Sequence, residues 1–432
     1  MLLIYMDEPS PRAKYVIEHV LHQVLGWDLM MVDDAETFRS SVGPKLFYGR
    51  SDPGAGVFHI PSSGWLNNTG IEPFEPELVM DGELPVIFRD QNGFDLFAAV
   101  FHLISRYEEY LDHEKDQHAR MRSRDHFMVK HELAGRPIVD HWIMRTAHAI
   151  RSQFPELPAP DRRYQHVVTA DIDNGLKYLG RPFWKQGGAA LRDLVKGSPS
   201  LAQERIAVLL GARPDPFADQ SVLIEAARSK AVARTIAFVL VEDRGAFDHA
   251  ANIDHEQMRR AIGELAGEIE IGIHPSYESS SRPGTIAREK QRLHASAGVP
   301  IRTSRQHFLR WRMPDTLREL EAEGILEDHS LGFSDRIGFR AGTCTPFRWY
   351  DLQQERVSDL VLHPFAAMDS ALHDHMGMRP KEAAAAMLDM SRAVRAVNGT
   401  FVSVWHDRFL SGHGERKGWP EAFKQVCEAA AP

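Results

Sequence analysis

Read for the spacing of its apolar residues, the chain changes character near residue 155. Beyond that point, short apolar runs alternate with stretches whose apolar positions recur every three or four residues. The short runs "QHVVTADI", "ARTIAFVLV", "EIEIGIH", "VPIRTS", "GILEDHS", "RIGFRAG", "DLVLHPF" and "TFVSVWH" predict strands. The spaced stretches predict helices over 254–267, 285–297, 314–324, 380–397 and 419–430. One of them, "PDTLRELEAEG", has proline at its start and glycine at its stop. Strands and helices in alternation imply a parallel sheet with helices outside, and about eight such strands imply a closed barrel.

Before residue 155 the pattern is mixed. "LLIYM" and "PVIFR" predict strands, and "DLFAAVFHLISRYEEYL" predicts an amphipathic helix. "YGRSDPGAGVFHIPSSGW" is rich in Gly, Pro and Ser and predicts irregular chain. Three prolines in "SQFPELPAPDRRYQH" mark a boundary. The expected architecture is therefore α/β throughout: a smaller accessory domain over 1–155, then a barrel over 160–432. Residues 176–230, between the first two barrel strands, are too many for a simple loop and predict a helical insertion over the barrel mouth.

Composition narrows the function. The chain has 432 residues, 43% hydrophobic and 26% charged, as expected of a folded soluble protein. Its net charge is −9 and its basic residues form no stripe, which argues against a nucleic-acid partner. No apolar run approaches the roughly 20 residues of a membrane span. Two cysteines, Cys344 and Cys427, make no disulfide framework. The N-terminal stretch lacks the charged lead and sustained apolar core of a signal peptide, so the expected location is the cytoplasm.

Titratable residues gather at the strand exits: Asp171 and Asp173, His274, His307, Asp328, Arg340, His363 and His406. In a (β/α) barrel these exits converge on the C-terminal face, where active sites form. Asp171 and Asp173 alternate along one strand and so share a face. Two carboxylates that close tolerate each other only beside positive charge. A carboxylate and two neutral imidazoles make a three-ligand site for Zn²⁺ or a related ion. A second carboxylate, restrained by an arginine, is then placed to accept a proton from water.

The motifs resemble those of the polysaccharide deacetylases (carbohydrate esterase family four, the NodB-homology fold). "TADIDN" is similar to their Thr-Phe-Asp-Asp-Gly signature, "GIHPS" to their histidine motif, "GFRAG" to their arginine motif and "VSVWHD" to their last histidine motif. All four occur in the family's order across about 160–430. Together with "HPSYES", "SRQHFL" and "GFRAGT" they look closest to a divergent bacterial branch with an extra N-terminal domain.

That resemblance implies a distorted (β/α)7–8 barrel and metal-dependent removal of an N-acetyl or O-acetyl group from a sugar or glycan intermediate. It implies Asp171 as general base, Arg340 as its tether and His406 as general acid. It also implies Asp173 and His274 as ligands of one divalent ion, Zn²⁺ first, with Co²⁺, Ni²⁺ or Mn²⁺ as alternatives. The family's second motif histidine is missing: four residues after His274 stands Glu278. His307, following the next strand, is the preferred replacement over Glu278, because the "HPS" turn disfavours an immediate helix.

Further candidates are Ser276, Thr343, Asp369 and Trp405 for binding or orienting substrate, with a backbone N–H near the Thr343–Cys344 turn for the oxyanion. Trp311, Phe347 and Trp349 also offer ring faces. Each has a plainer reading: turn and capping residues for Ser276 and Asp369, core packing for the aromatics, a structural partner such as Asp335 for Arg340. His363 reads as structural, and His373 and His375 as an exposed loop. The competing functions are another carbon–nitrogen hydrolase, a metal-free glycosidase with two separated carboxylates, and a non-catalytic glycan-binding module.

Overall fold

The computed structural model describes residues 1–195, 198–242 and 245–432. The chain opens with four parallel strands, β1 (Leu2–Met6), β2 (Leu29–Val32), β3 (Lys45–Gly49) and β4 (Phe58–Pro61), in the order β2-β1-β3-β4. "LLIYM", buried at four of its five positions, is a central strand. The stretch expected to be irregular contains β4, whose "FHIP" pairs with β3. "PVIFR" is split by Phe88, whose φ of +57° turns the chain. Its two parts fall in separate hairpins, β5 (Val79–Asp81) with β6 (Leu84–Val86) and β7 (Arg89–Asp90) with β8 (Gly93–Phe94).

The expected amphipathic helix has no exposed face. Leu96–Ile104 is buried at all nine positions, and Arg106 interrupts the helix with φ +56° before Tyr107–Tyr110 resumes it. A helix apolar all round must lie in a core, and this one does. A single hydrophobic cluster joins Trp27, Phe97 and Phe101 to Val168, Leu331 and Phe401.

The second sheet has nine strands: β9 (Gln165–Ile172), β10 (Arg234–Val239), β11 (Glu270–Ile273), β12 (Thr303–Ser304), β13 (Glu327–Leu331), β14 (Phe347–Asp351), β15 (Arg356–Pro364), β16 (Ala367–Met368) and β17 (Thr400–His406). Their order is β14-β15-β13-β12-β11-β10-β9-β17-β16, parallel except where β14 meets β15. Central β9 is buried at seven of eight positions, as expected of a parallel strand covered on both faces.

The sheet curls, and one extended run spans its edges. β15 pairs with β13, and two residues later β16 pairs with β17. Phe365 N–H donates to the Leu331 carbonyl, and Ala366 N–H to that of Val402. Helices lie where the spacing placed them, at Glu256–Ala266, Thr285–Ala297, Asp315–Ala322, Pro380–Arg395 and Trp419–Ala429. Between β9 and β10 come three more, Phe183–Val195, Pro199–Leu209 and Ser221–Arg228. No helix among the described residues is long and apolar enough to cross a membrane.

One expected strand is absent. Residues 336–342, "RIGFRAG", form turns, while the unpredicted β14, "FRWYD", takes an edge position. The turn is fixed from outside: Phe339 N–H donates to the Ala134 carbonyl. Gly338 has φ +136°, and a Cβ there would meet the Ala134 oxygen at 2.6 Å. Gly338→Ala is therefore expected to lower the unfolding free energy by about 1–3 kcal/mol. The control Gly377→Ala, also at positive φ but with nothing within 4 Å, is expected to cost about 1 kcal/mol. Urea denaturation of both variants checks this; equal losses would mean that the Ala134 contact is slack.

Candidate metal centre and active site

β9 carries the centre. It lies between β10 and β17, and its Asp171 is in register with His406, the last residue of β17. The chain beyond Asp173 is pinned by Asp407, whose Oδ2 accepts the backbone N–H groups of Asn174 and Gly175 at 2.9 and 2.8 Å. His274 leaves the end of β11 and His307 the end of β12. Asp171, Asp173, His274, His307 and His406 all line one cavity of about 440 Å³.

Asp173, His274 and His307 each bring a ligand atom within 4.8 Å of the others. His274 Nε2 stands 3.3 Å from Asp173 Oδ1, and His307 Nε2 stands 3.9 Å from it. The far ring nitrogens are occupied: His274 Nδ1 by the Arg305 carbonyl at 2.5 Å, His307 Nδ1 by Asp248 Oδ1 at 2.8 Å. With the proton on Nδ1, each Nε2 presents a lone pair to the centre. Asp173 Oδ1 is buried and has no hydrogen-bond partner among the described residues. Lone pairs that converge on an orphaned carboxylate oxygen fit a cation, and the donor set suits Zn²⁺.

Electrostatics agree with the geometry. Burial opposes the charge of Asp173, but His274, His406, His307 and Arg408 outweigh it and hold the carboxyl well below its usual range. Burial would lower His274; Asp171 and Asp173 overcome it and raise its pKa. Arg408 Nη1 donates to Asp173 Oδ2 at 2.7 Å, a contact the sequence pattern did not reveal. Glu278 stays outside the centre, facing solvent beside Arg282 at 3.5 Å.

Asp171 is 2% exposed. Its Oδ2 is 3.9 Å from both His274 Nε2 and His406 Nε2. The arginine that holds it is Arg305, not Arg340. Arg305, fully buried, donates Nη1 to Asp171 Oδ1 at 2.8 Å, Nη2 to Thr169 Oγ1 at 2.8 Å and Nε to the His329 carbonyl at 2.9 Å. His406 is oriented by Asp369, whose Oδ1 accepts from Nδ1 at 2.5 Å and whose Oδ2 accepts the His406 backbone N–H at 2.7 Å. Burial would lower His406, and the Asp369 carboxylate outweighs it and raises the pKa.

Several expected site residues lie elsewhere. Arg340 donates to both oxygens of Glu109, at 3.1 and 2.6 Å, in a buried cluster with Arg106. Thr343 Oγ1 and Cys344 N–H both donate to Asp140, so this turn anchors helix Ile138–Gln153 instead of an oxyanion. Ser276 is bound by Glu289 through its hydroxyl and its N–H, and Trp405 is buried with Nε1 on Ser403. Asp328 is enclosed by Ser304 and Ser330. His363 stacks on His329, His373 meets Arg416, and Asp335 pairs with Arg336. His375 lines the cavity.

Residues 2–155 match a family of unknown function, DUF7033. No curated protein matches the chain. Among solved structures it is similar to one described as a "putative polysaccharide deacetylase from Mycobacterium smegmatis". The two share 18% identity over 62% of this chain and 86% of the other, with a TM-score of 0.41.

The placement of Arg340 has a thermodynamic signature. Burial would raise the Glu109 carboxyl, and Arg340 with Arg106 holds it down at about 2. Arg340→Gln leaves that buried charge half-compensated and is expected to cost about 3 kcal/mol in urea denaturation. The folded variant should retain whatever zinc the unsubstituted protein takes up in equilibrium dialysis. Loss of zinc with stability intact would put Arg340 back at the centre.

Proposed function

We propose that this protein is a metal-dependent hydrolase that removes an N-acetyl (or O-acetyl) group from a sugar or glycan intermediate. The observation that carries this reading is the orphaned Asp173 Oδ1 facing two imidazole lone pairs, with Asp171 and His406 next to each other beside it. The ordered motifs described above support the acetyl-sugar class. Asp173, His274 and His307 would hold the ion, which would supply Lewis acidity and make nearby water more acidic.

The chain's own residues do the rest. Asp171, fixed by Arg305, which Thr169 Oγ1 in turn holds in place, accepts the proton of the attacking water. His406, held by Asp369 with Nε2 toward the cavity, donates a proton to the departing nitrogen. An amine anion leaves poorly, so an amide requires this acid as much as it requires the base. The two groups share the space beside Asp171 Oδ2, and His406 is well placed to act on the bond that Asp171 opens to water.

Two experiments test the reading. Metal analysis by mass spectrometry is expected to find about one zinc or similar ion per chain, lost in His274→Ala and His307→Ala and kept in Glu278→Ala. A metal-free protein after incubation with zinc, cobalt and nickel would remove the reading. The second concerns the acid. Asp369 raises the His406 pKa, so the protonated form persists to higher pH than for an ordinary histidine. Asp369→Asn removes that contribution, the pKa falls, and the acid is lost sooner as pH rises. The alkaline limb of kcat on an acetylated sugar should therefore move down by about one unit. An unmoved limb would assign it to another group.

A further inference from the structure

The cavity is not made by the curled nine-stranded sheet and its loops alone. Gln117, His118 and Arg120, which lie within the stretch matched by the family of unknown function, form one of its walls. The loop after β10 contributes Phe247 and the turn after β12 contributes Phe308, and Tyr277 packs against both. The rings touch in a continuous set: His118 to Phe308 at 4.7 Å, His118 to Phe247 at 5.6 Å, Phe247 to Tyr277 at 4.3 Å and Tyr277 to Phe308 at 5.4 Å between centroids. Phe308 also lies 4.6 Å from the ring of His307, so this wall adjoins the metal centre.

The wall is built at a conformational cost. Phe308 and Leu309 adopt φ of +60° and +53° in succession, a left-handed backbone that non-glycine residues rarely take. Arg120 holds it there by donating Nη1 to the Phe308 carbonyl at 2.5 Å, and Arg310 in turn donates to the His118 carbonyl at 3.1 Å. The N-terminal segment thus fixes the pose of an aromatic residue beside His307. Strain of this kind, held in place from another part of the chain, is a mark of a functional surface.

The chemistry of the wall names its ligand. Phe247 remains 41% exposed and Gln117 is exposed beside it, giving an apolar face and an amide. The guanidinium groups are engaged: Arg120 by Asp116 at 2.7 Å, Arg408 by Asp173 at 2.7 Å. An aromatic face with a neutral hydrogen-bonding edge suits an uncharged, hydroxylated ring that presents a C–H face more than a phosphate or carboxylate. We propose that Gln117 and His118 of the N-terminal segment, with Phe247 and Phe308, form a subsite that stacks an uncharged pyranose ring next to the metal centre. The sugar class rests on the deacetylase reading; the contribution of the N-terminal segment rests on the geometry alone.

The test is calorimetric binding of N,N′,N″-triacetylchitotriose to the zinc-loaded full chain carrying Asp171→Asn, which prevents turnover. Adding Phe247→Ala or Gln117→Ala is expected to weaken binding tenfold or more and fivefold or more, respectively, with zinc content unchanged. Phe247→Trp should restore it. Equal affinity in all variants, or no binding before they are made, would overturn the subsite. Tighter binding of N-acetylglucosamine 6-phosphate than of the neutral sugar would overturn its ligand class. Binding with these losses in a protein that never hydrolyses an acetyl group would keep the subsite and remove the deacetylase reading.

Discussion

Two carboxylates and three imidazoles converge where β9, β11, β12 and β17 end, and nearly every polar choice around them serves to keep that assembly from repelling itself. Asp171 faces Arg305, Asp173 faces Arg408, and the free ring nitrogens of His307 and His406 are met by Asp248 and Asp369. In a medium of low effective dielectric, unpaired groups of this kind would cost several kcal/mol each. Pairing the outward atoms leaves the inward ones, Asp173 Oδ1 and the histidine Nε2 atoms, as a set with too much electron density. That imbalance is the property a metal ion or a proton corrects, and it makes the site chemically specific.

A second consequence of burial is that the two parts of the chain are not separable by inspection. Glu109 and Asp140, both from the first 155 residues, accept bonds from Arg340, Thr343 and Cys344. Arg12 binds Glu355 at 2.5 Å across the same boundary. The turn after β13 is therefore shaped by partners about 200 residues earlier. The N-terminal segment also reaches the cavity itself, through Gln117 to Arg120.

Much of this was legible in advance, and the reasons differ for what was not. The strand bodies are mostly apolar and buried on both faces, so "QHVVTADI" and "TFVSVWH" announce themselves, and the titratable residues Asp171, Asp173 and His406 mark their exits. His307 is preferable to Glu278 because it follows the strand next to that of His274, whereas Glu278 needs a helix straight after the "HPS" turn. A short 3-10 turn does form at Tyr277–Ser280, yet Glu278 faces solvent. The arginine was misassigned because "GFRAG" is a compact local pattern, whereas the true partner of Asp171 sits in "SRQHF", a segment read for its histidine. Pairings across more than a hundred residues leave no local trace. Asp248 and Phe247 follow β10 in a stretch without periodicity, and nothing in the sequence spacing singles them out.

The run from Val361 to Asp369 works as a ruler. Its first half is registered against β13, with Val361 opposite Glu327 and Pro364 opposite Leu331. Its second half is registered against β17, with Ala367 opposite Ser403 and Met368 opposite Val404. Only Phe365 and Ala366 lie between the two ladders, and Asp369 comes one residue after the second. Because side chains alternate faces in extended chain, one residue gained or lost here would turn Asp369 away from His406 or break a ladder. The length of this run is thus as constrained as its buried side chains are. Descendants of this sequence should therefore show insertions and deletions almost anywhere else before they show one between these two strands.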